Sequence, residues 1–346
     1  MFAYVGGYTT KDRDGRGDGI HVYRVDPATG AWTHVQHIAG EENPSLFTLR
    51  PDNRVLYSVH GALTHVSAFA IEPLTGQLRL LNRQPSGGSN PVDAALDATS
   101  RFLVVPNYSS GNVAVLPLAD DGTLLPVTQV FPLPGRPGPD PVQQSASHPH
   151  AVIFDPSHRF VIVPDKGFDC TFIFRFDAGR LTLHQTMPSR PGAAPRHCIF
   201  HPSLPVLYVN NELDSTVTAY RWRDGQIEEI ETVGTLPDGV TGRNTTAEIG
   251  VAPDGRFLYV SNRGHDSIAV FAVAQDSGRL SIIGCEPTGG RRPRFFTLDP
   301  AGALLYAANQ EGDNIVAFRV DSNSGLLTRT GHEVRVGSPS AISFVV

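Results

Sequence analysis

Ala194-Pro195-Arg196-His197-Cys198-Ile199-Phe200-His201-Pro202, continued by Val206-Leu207-Tyr208-Val209-Asn210-Asn211-Glu212, reads as two β-strands joined by a turn at His201-Pro202. The residues are β-branched, aromatic or alternating, and proline marks the turn. In such a hairpin the start of the first strand and the end of the second share one sheet edge. Arg196 and His197 are therefore expected beside Glu212, while His201, at the opposite end, reads as structural.

The second strand of this hairpin recurs. Phe2-Ala3-Tyr4-Val5, Val55-Leu56-Tyr57-Ser58, Phe102-Leu103-Val104-Val105, Phe160-Val161-Ile162-Val163, Val206-Leu207-Tyr208-Val209, Phe257-Leu258-Tyr259-Val260 and Leu304-Leu305-Tyr306-Ala307 follow one another at intervals of 46 to 58 residues. A column of Pro44, Pro91, Pro149, Pro195, Thr246, Pro293 and Pro339 opens each first strand. A third strand follows each second one, and Gly-containing turns such as Thr75-Gly76 and Ser277-Gly278 lead into a fourth. Units of four antiparallel strands with this period predict an all-β, seven-bladed β-propeller over residues 1–346 as one domain. Phe2–Tyr8 lacks a first strand and Pro339–Val346 lacks a second, so pairing them closes the ring and removes two open edges. Two Pro/Gly-rich stretches, Pro132–Ser147 and Pro237–Thr245, lengthen their units and lead into first strands, so both are expected at one rim.

The composition, 40% hydrophobic and 18% charged over 346 residues, supports a large core. A net charge of −6 gives nucleic acid no electrostatic footing. No apolar run approaches the roughly 20 residues that cross a membrane. The chain opens directly on strand, without the charged and apolar regions of a secretory leader. Cys170, Cys198 and Cys285 are an odd, sparse set, which favours a reducing, cytoplasmic setting over a disulfide framework.

The repeat is its own control: a residue type present in one blade only needs a reason beyond the blade. One position past the proline column stand Ser45, Val92, His150, Arg196, Ala247, Arg294 and Ser340. Four past the tyrosine column stand Tyr8, Gly61, Tyr108, Lys166, Glu212, Arg263 and Gln310. The residues just before these, Asn or Asp in five blades, read as a turn requirement. Because first strands line the channel, His148, His150, Lys166, Arg196, His197, Glu212, Arg263 and Arg294 are expected around one mouth. Arg291 and Arg292 read as an exposed turn.

There is no G-x-S-x-G elbow, no phosphate loop and no dinucleotide fingerprint. The channel histidines lack carboxylates and are surrounded by arginine, so no metal and no cofactor are expected. What remains is acid/base chemistry by His150 and Glu212, either of which can be the base, within a ring of cations. Arginines suit a carboxylate or phosphate, or an oxyanion on a carbonyl.

The Pro195-Arg196-His197 and Asn211-Glu212-Leu213 segments resemble the seven-bladed propeller lactonases, a family that includes propeller-type 6-phosphogluconolactonase and carboxy-cis,cis-muconate lactonising enzyme. Tyr4-Val5-Gly6-Gly7-Tyr8-Thr9, Ser147-His148-Pro149-His150-Ala151 and Ser261-Asn262-Arg263 extend the resemblance along the whole chain. It implies catalytic His150 (with His148 as the alternative), Arg196, Glu212 and Arg263, and substrate binding by His148, Lys166, His197 and Arg294. It implies a small anionic lactone or carboxylate substrate, with hydrolysis of a 6-phosphogluconolactone-like compound first and lactone-forming cycloisomerisation second. A non-enzymatic scaffold would instead show an apolar patch at the channel mouth.

Overall fold

The computed structural model describes residues 1–26 and 28–346. It contains seven four-stranded antiparallel sheets. Six are consecutive in sequence, as in Pro195–Phe200, Val206–Asn211, Thr216–Arg223 and Gln226–Gly234. The seventh joins Pro339–Val345 to Phe2–Gly7, Gly19–Val25 and Trp32–Ala39, with Phe2 opposite Val345 and Val5 opposite Ile342. One short 3-10 turn, Lys11–Arg13, is the helical element among the described residues.

The second strands are continuous apolar runs because both of their faces are covered. Val206 and Tyr208 pack toward the following blade, in a cluster with Leu258 and Val260. Leu207 and Val209, one residue out of phase, pack toward the preceding blade with Phe160 and Ile162. Each of the seven core clusters is shared in this way by two neighbouring blades. No blade buries its faces alone, so the ring is held by its interfaces.

The tyrosine column has a second job. The hydroxyls of Tyr4, Tyr57, Tyr208 and Tyr259 donate to the carbonyls of Gly76, Gly122, Gly278 and Gly325, at 2.8–3.0 Å. Each acceptor is the left-handed glycine of the next blade's outer turn. A buried hydroxyl thus finds its partner across the blade interface.

The Asn/Asp column is more than turn chemistry. Asn107, Asn262 and Asn309 are fully buried, and their amides donate to the carbonyls of Ser86, Thr235 and Thr288 on the preceding blade. In the fourth blade Asp165 takes this place and accepts the amides of His148, Gly167 and Phe168. There the first strand shrinks to Ile153–Phe154, and in the third blade to Ala95–Leu96.

A β-bulge opens most first strands. Pro195 pairs with Asn211 and His197 with Asn210, leaving Arg196 unpaired. The same slip frees Ser45, Arg294 and Ser340. A bulge re-aims the extra side chain out of the ladder, here toward the hub.

Candidate active site

The bulges and the second-strand ends deliver their side chains to one cavity of about 370 Å³, lined among others by Tyr108, His150, Lys166, Glu212, Arg263 and Arg294. Both long stretches reach this rim, as expected. Pro132–Ser147 supplies Gln143 to the wall, and Pro237–Thr245 supplies Arg243 and Thr245 to an adjoining cleft. A third segment, between Gly7 and Gly19, adds Arg13 and Arg16. Arg292 also lines the cavity, so its turn is more than an exposed connection. Arg196 and His197 lie in the narrow throat below, with Val92, Ser45 and Ser340.

Glu212 is the centre of charge. Lys166 Nζ lies 2.7 Å from Oε1, and Arg263 Nη2 lies 3.2 Å from the same oxygen. Arg196 Nε is 3.1 Å from Oε2, as an ion pair without directed hydrogen-bond geometry. Burial pulls the Glu212 carboxyl upward, but Arg263, Lys166 and Arg196 together hold it well below the usual range. A carboxylate held by three cations is a weak proton acceptor. Its backbone N–H is fixed by the carbonyl of Ala194, which takes a left-handed φ of 57°. Arg196 also donates to the Ala247 carbonyl, and Arg263 to that of Thr246 at 2.6 Å. Burial, with Arg263 and Arg294 nearby, lowers Arg196 to about 9.

The ring of His197 hydrogen-bonds to Glu248 and His150 rather than to Glu212. His197 comes directly after the bulged Arg196, so the two neighbours point to different places. Its Nδ1 lies 2.9 Å from Glu248 Oε1, and its Nε2 lies 3.2 Å from His150 Nδ1. With Glu248 ionised, His197 carries its proton on Nδ1 and accepts from His150 through Nε2. His150 then bears its own proton on Nδ1. Its Nε2 has no protein partner among the described residues and belongs to the cavity wall. Burial first, and then Arg196, push His150 well below the ordinary histidine range, so the ring is neutral.

His148 lies outside the cavity lining. It stacks on Tyr108, with centroids 4.3 Å apart and planes 9° apart, and its Nδ1 is 3.0 Å from the Tyr108 carbonyl. His201 is structural, as expected: its Nε2 lies 2.8 Å from the Gly255 carbonyl, and its Nδ1 accepts the Ser203 and Leu204 amides.

Arg294 differs from the other hub cations. Among the described residues it has neither an ion pair nor a hydrogen bond, and its guanidinium lies 5.1 Å from the centroid of the Tyr8 ring. Arg13 covers the same ring at 4.3 Å. Burial lowers the Arg294 pKa. Burial would raise Tyr8, but Arg294 and Arg13 bring it below its usual value.

Sequence reasoning passed over Tyr8 and Tyr108, which stand in the column of Lys166, Glu212 and Arg263, and Glu248, which stands two residues past Thr246 as the candidate His197 stands two past Pro195. Arg13 and Arg16 had no such signal, because the segment carrying them lies outside the repeat.

Fold and site together define a seven-bladed propeller with a cation-rich pocket at its hub. Residues 2–344 match the family described as Lactonase, 7-bladed beta-propeller, and the chain belongs to that family. A 6-phosphogluconolactonase of Bacillus subtilis (strain 168) is 36% identical over 300 residues, 86% of this chain and 84% of that protein. A 6-phosphogluconolactonase of Formosa agariphila is 32% identical over 310 residues, 86% of each chain. Among solved structures, a periplasmic gluconolactonase from Pseudomonas aeruginosa superimposes with a TM-score of 0.91 at 32% identity, covering 100% of this chain and 99% of the other. These relatives lend no support to the lactone-forming cycloisomerase reading. The cavity rim is charged and polar rather than apolar, which removes the basis for the scaffold reading. Among the described residues no helix is long and apolar enough to cross a membrane.

Proposed function

We propose that the chain hydrolyses a sugar-acid lactone carrying an anionic group, with 6-phosphogluconolactone the first candidate, and that His150 is the base. The observation that carries the substrate class is Arg294. A half-buried guanidinium without a carboxylate partner carries an uncompensated desolvation cost, and at a cavity wall an anionic ligand removes that cost. Arg294, helped by Arg13, holds the substrate's anion through charge-assisted hydrogen bonds.

His150 Nε2 takes a proton from water, and the water oxygen bonds to the lactone carbonyl carbon. The carbonyl π pair moves to oxygen, and Arg263 and Lys166 stabilise that charge. Collapse re-forms the carbonyl and breaks the ring C–O bond. The departing alkoxide takes the proton from His150, and the new acid ionises to solvent. Glu212 acts as an electrostatic anchor that keeps Lys166, Arg196 and Arg263 apart and aimed. Similarity to two 6-phosphogluconolactonases supports the phosphorylated substrate. A cytoplasmic location agrees with three free cysteines, and cell fractionation distinguishes it from the setting of the periplasmic relative.

Initial rates on 6-phosphogluconolactone and on its unphosphorylated counterpart, corrected for spontaneous opening, test the reading. Preference for the phosphorylated lactone supports it. Failure to open either compound overturns it.

A further inference from the structure

Three histidines and an aspartate meet on the outer half of the blade built from both termini. His21, on Gly19–Val25, and His37, on Trp32–Ala39, are directly opposed in the antiparallel register. Their rings are parallel, with centroids 4.5 Å apart. Both turn Nε2 toward Asp18, at 2.7 Å for His21 and 3.4 Å for His37. His34 Nε2 lies 3.3 Å from His21 Nδ1. The chain is shaped to allow this. Gly19 has φ +140°, and a Cβ there would fall 2.0 Å from the Ile38 carbonyl oxygen. Only glycine brings Asp18 so close to the strand that carries His37.

We propose that Asp18, His21 and His37 form a surface site for a divalent transition-metal ion of the zinc type, with solvent completing a tetrahedron. Their three ligand atoms lie within 4.8 Å of one another. Tetrahedral ligands about 2.1 Å from zinc stand about 3.4 Å apart; the 3.4 Å from His37 Nε2 to Asp18 Oδ2 matches that spacing, and the 2.7 Å from His21 Nε2 to Asp18 Oδ1 must widen on binding. Two imidazoles and one carboxylate suit zinc, nickel or copper(II), whereas calcium and magnesium want oxygen ligands. His34 accepts the Nδ1 proton of His21 and so leaves the Nε2 lone pair for the ion. Such a partner on the far ring nitrogen is the usual support of a ligating histidine. Binding exchanges the contacts of the two Nε2 atoms with Asp18 for bonds to the ion. The ion clips the outermost strand of the blade, whose far edge is open, to its neighbour. This site is independent of the hub and of its substrate.

Calorimetric titration of the tag-free chain with zinc, after chelator treatment, is expected to show one ion per chain with a dissociation constant on the order of 10 µM or tighter. His21→Ala and His37→Ala should each weaken binding about tenfold or more, and His34→Ala less. Copper(II) bound to the parent chain should show two nitrogen couplings by electron paramagnetic resonance, and one in either ligand variant. Equal affinity in the parent, His21→Ala and His37→Ala chains overturns the proposal. So does magnesium binding as tightly as zinc, or no saturation by zinc at millimolar concentration.

Discussion

His197 Nε2 lies 3.2 Å from His150 Nδ1, and this contact decides which nitrogen of His150 meets the cavity. Glu248, on the far side of His197, sets the direction of the chain of protons. An uncharged group in place of that carboxylate no longer dictates where the His197 proton sits. Glu248→Gln is therefore expected to lower kcat about tenfold to a hundredfold with little change in KM, and Glu248→Asp to recover part of the loss. Equal kcat in parent and Glu248→Gln would remove Glu248 and His197 from the mechanism.

Burial of His150 sets the pH dependence. Its folded pKa lies well below the ordinary histidine value, and a base works when unprotonated. Hydrolysis by the parent chain should stay level as pH falls through about 6.5, where an exposed histidine would titrate, and decline only on the acid side of that. A pH–rate profile with its acid limb centred at or above 6.5 contradicts the assignment of His150 as base.

Arg294 is expected to act on the substrate's anion. Arg294→Gln should reduce kcat/KM for the phosphorylated lactone by about ten- to a hundredfold, the range of one charge-assisted hydrogen bond. The unphosphorylated lactone should lose much less. Equal losses on the two substrates would place Arg294 at the reacting carbonyl instead.

Glu212→Gln leaves Lys166, Arg196 and Arg263 buried without their common counter-charge. Breaking a buried ion pair from one side costs about 3–5 kcal/mol, readable by denaturant unfolding. The double variant Glu212→Gln, Lys166→Gln should be less destabilised than the sum of the single ones. The sign with pH is set by the depressed folded pKa of Glu212. Its contribution is complete above the unfolded carboxylate value near 4.3 and is lost as pH falls below that. Acid unfolding of Glu212→Gln should lack this component.

Tyr259→Phe removes a hydroxyl that joins two blades through the Gly325 carbonyl. It should cost about 1 kcal/mol of stability and leave lactone hydrolysis unchanged. This separates the tyrosine column, which serves the ring, from the charged column at the cavity.

The ring was legible because a repeat averages over local ambiguity. Seven copies of an apolar run and seven first-strand openers leave few alternatives, even where Ala95–Leu96 and Ile153–Phe154 hardly form strand. Lys166, Glu212 and Arg263 were legible as departures from the repeat. The direction of His197 was not. Alternation along a strand predicts a face, but the bulge at Arg196 rotates the next residues out of that alternation, and no residue type announces a bulge. Glu248 stayed hidden for the same reason, since its role exists only once His197 has turned toward it. Arg13 lies in a connection with no counterpart in other blades, so no column could mark it.

The unpaired position after four of the opening prolines carries a lesson about how such a ring diversifies. Ser45, Arg196, Arg294 and Ser340 stand outside the hydrogen-bonded ladder. The main chain makes no ladder bond at these positions, so exchanging one of these side chains costs only its own contacts, such as that of Arg196 with the Ala247 carbonyl. Four blades thus furnish the hub with sockets in which selectivity is rewritten by substitution while the surrounding architecture is inherited intact.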